Sequence, residues 1–342
     1  MTDVIGSNPH RVLGIGVSVS DPVQLMQKIR AALQPWRLGR WPTPLESAPV
    51  LAGAAGLAEL ALKREDRSST RYGGNKVRAL EFLFSDAARG TVFVTVGATG
   101  STHCLATAVH AAAAGCRAVI AQFPQPETPV SRAVAAACAA QAALVVRARA
   151  PATLPVAIVE AWHRAGPLGP RRWIPGGGAH PRAVVGHLIA GLELSEQVAA
   201  PPDEIVLPLG TGGTAAGVVL AVAALGWPTR VVGVRVAPAL VANRWRTLWL
   251  AHRARQLVAR RGVPLPAPRS LVIADGLGRG YGWPTVDGDA AARLADRHGL
   301  VLDPTYGAKA FAFLLQRAAG HVQRVVFWHT FAVPRSTAEP AA

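Results

Sequence analysis

One lysine in the sequence stands in a setting that would make it reactive. Lys76 lies in the segment RYGGNKVRAL, where two glycines and Asn75 lead into an apolar pattern typical of an amphipathic helix. The positive end of a helix disfavours a cation, so we expect the pKa of the Lys76 amine to be lowered. Such an amine suits Schiff-base chemistry. A solvated lysine at a helix start is the alternative interpretation, and the scarcity of lysine in this chain favours the reactive one.

A second segment has the composition of a phosphate site. The run LGTGGTAAG, Leu209–Gly217, follows a predicted strand and opens a predicted helix. Its glycines allow backbone N–H groups to approach a ligand, Thr211 and Thr214 add hydroxyl donors, and the helix end favours a dianion. It is neither a P-loop, because no Lys-Ser/Thr follows, nor a GxGxxG motif. A tight turn without a ligand explains the same residues equally well.

A third segment could bind a carboxylate. VGATGSTH, Val96–His103, joins a predicted strand to a predicted helix and places Ser101 at the expected N-cap. A cap with no ligand is the alternative. Taken together, a phosphate cradle, a Schiff-base lysine and a carboxylate cradle are what pyridoxal 5′-phosphate chemistry on an amino acid requires.

The elements that must position these segments alternate along the chain. Apolar strands separated by alanine-rich helices predict an α/β fold with largely parallel sheets. The predicted strands are Leu60–Lys63, Val92–Val96, Ala118–Gln122, Ala143–Val146, Glu204–Pro208, Arg230–Val236 and Arg324–Trp328. The predicted helices are Asn75–Arg89, Ser101–Ala114, Pro129–Ala140, Ala152–Ala165, Pro181–Val198, Gly213–Leu225, Leu240–Arg261, Asp287–His298 and Tyr306–Ala319.

Composition excludes several classes of protein. Hydrophobic residues make up 50% of the chain and charged residues 16%, which excludes an intrinsically disordered protein. The net charge of +16 comes from scattered arginines, so we predict no nucleic-acid partner. The apolar run Ile205–Leu225 contains GTGGT, whose backbone a bilayer would leave unpaired, so it predicts a buried strand and helix and no membrane partner.

The cysteines and the N-terminus predict a cytoplasmic protein. Cys104, Cys116 and Cys138 form no CxxC pair, which predicts buried thiols, without disulfides and without a metal site. The beginning of the sequence, MTDVIGSNPHRVLG, lacks the pattern of a signal peptide.

The motifs occur in the order of a known family. They are KRED, GGNKVRALEFL, STH, IPGGG, GTGGTAAG, GYG, LDPTYGAKA and HT, spread between about Trp41 and Pro334. The chain resembles the D-cysteine desulfhydrase / 1-aminocyclopropane-1-carboxylate deaminase family of fold-type II pyridoxal-phosphate enzymes, which have a tryptophan synthase β-like fold. The GGNK block is the most specific of these motifs, and glycine loops like this one occur in other fold-type II enzymes.

The resemblance implies two open, parallel-sheet α/β domains with the cofactor between them, usually in a homodimer. Residues 1–74 and 187–334 would form the large domain, 75–186 the small domain, and 335–342 a tail. Lys76 would carry the cofactor, and Tyr281 and Tyr306 would join it in catalysis. The cofactor would further be bound by Asn75, Gly210, Thr211, Gly212, Gly213, Thr214 and Thr330. The substrate, a small amino acid, would be bound by Ser101, Thr102 and His103.

Departures from the family pattern bear on the reaction. Thr102 replaces an asparagine, and Phe331 and Ala332 replace two glycines. Gly307 stands where the deaminases have a glutamate on the pyridine nitrogen, whereas the chain keeps Thr330, the corresponding group of the desulfhydrases. A hydroxyl leaves a weaker electron sink than a carboxylate, which suits β-elimination better than cyclopropane opening.

We therefore predict a lyase for β-elimination, in family terms D-cysteine to pyruvate, ammonia and sulfide. The 1-aminocyclopropane-1-carboxylate deaminase reaction and a cofactor-binding protein without turnover remain alternatives.

Overall fold

The computed structural model describes residues 21–268, 271–317 and 324–334. The predicted tail 335–342, the last residues of the helix predicted over Tyr306–Ala319, and the N-terminal segment examined for a signal peptide lie outside the described residues. In the described part, strands and helices alternate along the chain.

Ten strands are present in the described residues. In chain order they are β1 (Leu45–Ser47), β2 (Glu59–Arg64), β3 (Val92–Ala98), β4 (Arg117–Phe123), β5 (Leu144–Arg147), β6 (Arg171–Ile174), β7 (Glu204–Leu209), β8 (Arg230–Arg235), β9 (Leu271–Asp275) and β10 (Arg324–His329).

The strands form two separate open sheets. A six-stranded sheet has the order β1-β2-β10-β7-β8-β9, and a four-stranded sheet has the order β5-β4-β3-β6. Every pair is parallel except β1 with β2. The predicted α/β fold with largely parallel sheets is confirmed.

Helices cover both sheets. They are α1 (Pro22–Leu33), α2 (Pro49–Ala54), α3 (Lys76–Leu83), α4 (Thr102–Ala113), α5 (Pro129–Gln141), α6 (Leu154–Ala165), α7 (Pro181–Ser195), α8 (Gly213–Ala224), α9 (Arg244–Ala259), α10 (Val286–Asp296) and α11 (Gly307–Gln316). The core of the six-stranded sheet includes β7 and α8, both of which are buried along their whole lengths. None of the helices in the described residues is long and apolar enough to cross a membrane.

The helix that begins at Lys76 is shorter than predicted. It ends at Leu83, where the sequence predicts a helix to Arg89. The chain leaves the helix because Asp86 adopts a left-handed backbone conformation with φ of 63°. Arg182 donates to Ser85 Oγ at 2.8 Å and to the Asp86 carboxylate at 2.7 Å, which holds this turn in place.

Three strands and two helices escape the sequence prediction. β1, β6 and β9 lie at sheet edges. β1 (LES) and β6 (RRWI) lack the continuous apolar run that marks a central parallel strand, whereas β9 (LVIAD) has such a run and was missed despite it. α1 has a readable signal, with Asp21 as N-cap accepting from Val23 N at 2.8 Å and proline in the first turn.

The division into two domains stays a prediction. All strands of the four-stranded sheet fall within 75–186. The predicted boundary between 186 and 187, however, falls inside α7, which is one continuous helix. A helix that packs as a unit is a poor place for a domain boundary, because linkers with few crossing contacts mark boundaries.

Candidate active site

The residues predicted to do chemistry all line one cavity. Its volume is about 370 Å³, and it lies where the carboxyl ends of β3 and β4 face those of β7, β8 and β10. Loops after parallel strands are the usual place for ligand sites in open α/β sheets. The predicted residues in its wall are Asn75, Lys76, Ser101, Thr102, His103, Gly210, Thr211, Gly212, Gly213, Thr214, Tyr281, Tyr306 and Thr330.

Lys76 is the first residue of α3 and its side chain enters the cavity. Burial lowers the pKa of the amine from 10.5 to about 8. The predicted direction of the shift therefore agrees with the structure, but the physical cause is loss of hydration, where the sequence suggested the helix end. A fraction of Lys76 is consequently uncharged near neutral pH.

Asn75 ties this lysine to the glycine loop. Its Nδ2 donates to Thr214 Oγ1 at 2.8 Å, and its backbone N donates to Thr330 O at 3.2 Å. Because Thr214 accepts from Asn75, the Thr214 hydroxyl proton is available to a ligand in the cavity. One short segment thus fixes Lys76 relative to both the start of α8 and the end of β10.

The glycine loop has a backbone that side chains would disturb. Gly212 is the N-cap of α8 with φ of 87°, and a Cβ there would lie 2.7 Å from Thr247 Oγ1. Across the cavity, Gly177 has φ of 66°, and its Cβ would lie 2.6 Å from Thr211 Oγ1. The N–H groups of the first turn of α8 lack partners within the helix, which suits an anion.

Ser101 and His103 stand at the start of α4. Ser101 is the predicted N-cap, and its Oγ accepts from Cys104 N at 3.3 Å, which leaves its own proton to donate. His103 is buried, and its Nε2 lies 2.9 Å from Thr95 Oγ1. Since the Thr95 hydroxyl donates to Ile174 O at 2.8 Å, it accepts from His103, so Nε2 carries the proton.

The other ring nitrogen of His103 is a buried acceptor. Its Nδ1 has no hydrogen-bond partner among the described residues. Burial and then the charge of Lys76 lower the pKa of His103 to about 3. His103 is therefore a neutral group beside the lysine amine.

Two tyrosines form the opposite wall. The hydroxyls of Tyr281 and Tyr306 lie 2.7 Å apart, and their rings meet edge to face. Lys309 supports the loop that carries Tyr281, since its Nζ donates to Leu277 O at 2.8 Å and to Gly280 O at 3.2 Å. Both tyrosines thus have fixed positions.

Sequence reasoning assigned no role to Asp303, which also lines the cavity. Its carboxylate accepts from the backbone N–H groups of Thr305, Tyr306 and Gly307 at 3.0, 2.7 and 2.9 Å. An acidic residue just before a predicted helix was the available signal. Asp303 holds the backbone of Tyr306 in position. It therefore supports the tyrosine pair through the backbone.

The departures from the family pattern have structural counterparts. A Cβ at Gly307 would lie 3.2 Å from Asp303 Oδ2, so a side chain there would crowd that carboxylate. Phe331 and Ala332 are buried in the core around α4, and Phe331 also reaches the cavity wall.

In the part of the chain that the structure describes, no three His, Cys, Asp or Glu side chains lie close enough together to hold a metal ion. The three cysteines, Cys104, Cys116 and Cys138, are buried and free.

The cavity residues fit pyridoxal phosphate. A glycine loop at a helix N-terminus suits the phosphate, and an amine of lowered pKa suits an aldehyde. Thr330, which directly follows β10, adds a hydroxyl to the cavity wall. The unpartnered Nδ1 of His103 is a further acceptor beside the amine.

Comparisons with known proteins agree with this fit. A model of the pyridoxal-phosphate dependent enzyme family matches residues 37–330. The chain is 36% identical over 304 residues to a nocardicin C-9′ epimerase of Nocardia uniformis subsp. tsuyamanensis, covering 84% of this chain and 91% of the relative. It is 31% identical to a D-cysteine desulfhydrase of Klebsiella pneumoniae subsp. pneumoniae, covering 86% and 92%.

A solved structure repeats the fold. The crystal structure of an ACC deaminase homologue superposes with a TM-score of 0.76 at 28% identity, covering 89% of this chain and 94% of the other. The resemblance drawn from the motifs and the predicted fold-type II architecture are confirmed.

Proposed function

Since the chain belongs to the pyridoxal-phosphate dependent enzymes, we propose that it catalyses β-elimination on a small amino acid, with D-cysteine as the family-level substrate. The products would be pyruvate, ammonia and sulfide. The observation that carries the proposal is a lysine of lowered pKa in one cavity with a glycine-loop helix N-terminus. The bound cofactor supplies the electron sink for the electrons released at Cα.

Lys76 has two tasks in this proposal. It would hold the cofactor covalently, and its Nζ, once free, would act as the base that removes the Cα proton of the bound amino acid. A base with a pKa of about 8 is partly unprotonated at neutral pH and still basic enough to take the proton.

The two anionic groups are bound at two helix N-termini. Residues 210–214 hold the phosphate through backbone N–H groups and the Thr214 hydroxyl, whose oxygen is already used by Asn75. Ser101 and Thr102 hold the substrate carboxylate at the start of α4 through their hydroxyls, and His103 does so through its backbone N–H, because its ring proton is donated to Thr95. Both assignments place negative charge where the helix dipoles favour it.

The tyrosine pair supplies the proton to the leaving group. Burial raises the pKa of Tyr281 to about 12 and that of Tyr306 well above 10. Both hydroxyls are therefore protonated at neutral pH, and the 2.7 Å contact lets one replenish the other. When the Cβ–S bond of cysteine breaks, the departing HS⁻ takes this proton and leaves as hydrogen sulfide.

Gly307 disfavours the alternative function of a 1-aminocyclopropane-1-carboxylate deaminase, because it has no side chain. The position offers no carboxylate to a pyridine nitrogen, and Thr330, in the cavity wall, would offer it only a neutral hydroxyl. The carboxylate of Asp303 is occupied by three backbone donors. Opening a cyclopropane needs the deeper electron sink, so β-elimination fits these residues better.

Epimerisation at Cα is a second candidate function. The relative that is 36% identical is named an epimerase. Both reactions begin with the loss of the Cα proton, and inversion then needs an acid other than Lys76 on the opposite face. Ser101 and the tyrosine pair are hydroxyl donors in the same cavity.

A product assay separates the candidates. The holoenzyme is incubated with D- and L-cysteine, D-serine, 1-aminocyclopropane-1-carboxylate, and D- or L-alanine in D2O. Pyruvate supports β-elimination, 2-oxobutyrate supports the deaminase, and deuterated alanine of inverted configuration supports epimerisation. Bound cofactor with none of these products would support a protein without turnover.

We also propose that the chain acts as a cytoplasmic homodimer, which the family resemblance implies. Three buried free thiols suit a reducing compartment. The molar mass in solution tests the dimer: a value near twice 35.7 kDa is expected, and a monomer at micromolar concentration contradicts it.

A further inference from the structure

One part of the cavity wall has no task in β-elimination of cysteine. It is formed by Phe123, Leu154 and Val241, and we call it the apolar wall. Each of these side chains is partly exposed, and each lines the cavity. They present carbon atoms only, so they offer nothing to a thiol, an amine or a carboxylate.

The strand order places Phe123 and Leu154 of the apolar wall away from the phosphate cradle. In the order β5-β4-β3-β6, Gly177 follows β6 and approaches Thr211 of the glycine loop. Phe123 ends β4, and Leu154 follows β5 at the far side of the same sheet. Phe123 is thus one strand and Leu154 two strands removed from β6, whose loop approaches Thr211.

The wall adjoins the reacting end of the site. The ring of Phe123 lies 6.4 Å from that of Tyr281, which bonds to Tyr306. Val241 follows β8, which lies between β7 and β9 in the six-stranded sheet. β7 leads into the glycine loop, and β9 precedes the loop that carries Tyr281. A group that extends from Cβ past the tyrosine pair would therefore meet apolar carbon from both sheets.

We propose that the site binds amino acids whose side chain is apolar and extends several carbon atoms beyond Cβ. For an eliminating substrate, the leaving group would then be a thiol with an apolar substituent, larger than sulfide. This proposal rests on the proposed function, because it assumes that the amino acid binds at Lys76.

A binding series tests it without requiring turnover. The holoenzyme is titrated with D- and L-alanine, 2-aminobutyrate, norvaline and norleucine, which lack a leaving group at Cβ, and the visible absorbance of the bound cofactor is followed. Each methylene buried against apolar carbon should tighten binding about fourfold, so norleucine should bind about 60-fold more tightly than alanine.

Matched variants locate the effect. Leu154→Asn should remove most of the gain from alanine to norleucine, whereas Val156→Asn on the same helix turn should keep it, because Val156 is 70% exposed and lies outside the cavity wall. Val241→Asn and its 88% exposed neighbour Leu240→Asn form a second pair.

The outcomes are distinct. Alanine binding with no gain along the series overturns the apolar wall as a side-chain site and leaves the proposed function standing. Absence of any absorbance change with every amino acid overturns both. A gain that survives Leu154→Asn and Val241→Asn equally overturns the assignment to these residues.

Discussion

The hydroxyl of Tyr281 lies 2.7 Å from the hydroxyl of Tyr306, at the end of the cavity that also holds Asp303. In a pair of hydroxyls, one donates to the other, so the pair has one proton left to offer to a ligand. Burial raises the pKa of both groups, to about 12 for Tyr281. The pair therefore stays protonated over the pH range in which Lys76 titrates.

Removing either hydroxyl should slow turnover without loss of the cofactor. We expect Tyr281→Phe and Tyr306→Phe to lower kcat by about 10²- to 10⁴-fold, the usual contribution of a general acid, with the visible absorbance retained. Tyr72→Phe is the matched control, because Tyr72 is buried and its hydroxyl has no partner among the described residues. Full activity in both cavity variants would exclude the pair as proton donor.

Asp303 should act through Tyr306. Its carboxylate adds to burial in raising the pKa of Tyr306 and holds the backbone N–H of that residue at 2.7 Å. We expect Asp303→Asn to lower kcat about 10- to 100-fold through misplacement of Tyr306, with a much smaller change in KM. The alkaline limb of the pH–rate profile should move to lower pH, because the negative charge is gone.

A cap elsewhere serves as the control for Asp303. Asp21 also accepts from backbone N–H groups at a helix start, Val23 N at 2.8 Å and Gln24 N at 3.1 Å. Asp21→Asn should cost about 1 kcal/mol or less in the free energy of unfolding, whereas Asp303→Asn, which turns an amide NH2 toward a buried backbone N–H, should cost about 1–3 kcal/mol. If Asp303→Asn behaves like Asp21→Asn in kcat and in the pH profile, Asp303 only holds the backbone before α11.

Much of the site could be predicted from the sequence because its parts are local. Lys76 with its glycines, the loop at Gly212 and the segment at Ser101 are each short motifs at a strand-to-helix junction, and the carboxyl ends of parallel strands bring such junctions together. Asp303 was missed because its contribution is three hydrogen bonds to backbone that exist only after folding.

The fold shows the same limit. Central strands such as β7 and β8 could be predicted from their apolar runs, whereas the edge strand β6, with the sequence RRWI, could not. The end of α3 depends on Arg182, about a hundred residues further along the chain, which holds the turn at Asp86. Contacts of this kind are absent from the local pattern that predicts a helix.

The affinity for the cofactor should depend on the left-handed backbone conformation of Gly212. A side chain there would occupy a left-handed conformation and approach Thr247 Oγ1 to 2.7 Å, which must shift the loop. We expect Gly212→Ala to weaken binding of pyridoxal phosphate by about 10-fold or more, measured by titration of the apoprotein. Gly226→Ala is the control, with φ of 67° and open space around its Cβ, and should lose stability but keep the affinity. Equal affinities in both variants would contradict a phosphate site at the glycine loop.

The buried ion pairs that Arg78 of α3 forms with Glu65 and Glu193 should be essential for stability. Arg78 donates to Glu65 at 2.6 and 3.0 Å and to Glu193 at 2.7 Å, and all three side chains are buried. Arg78→Met would leave two carboxylates unpaired, so we expect a loss of about 3–5 kcal/mol in the free energy of unfolding by urea. Arg164→Met removes an exposed pair with Glu160 and should change it by less than about 1 kcal/mol. Similar values for the two would show that the buried cluster is dispensable.

Lys76 should attach the cofactor with the pH dependence of a buried amine. Only the neutral amine attacks an aldehyde, and burial lowers the pKa of Lys76 from 10.5 to about 8. The rate at which visible absorbance develops, after pyridoxal phosphate is added to the apoprotein, should therefore rise with pH and level off with a midpoint near 8. At pH 7.5 the neutral fraction is on the order of 10²-fold larger than for an ordinary lysine. Lys76→Arg should give no such band, whereas Lys28→Ala, which removes an exposed lysine on α1, should behave as the wild type. A midpoint near 10.5 would mean that the amine is hydrated in the apoprotein, and a band that survives Lys76→Arg would assign the attachment to another lysine.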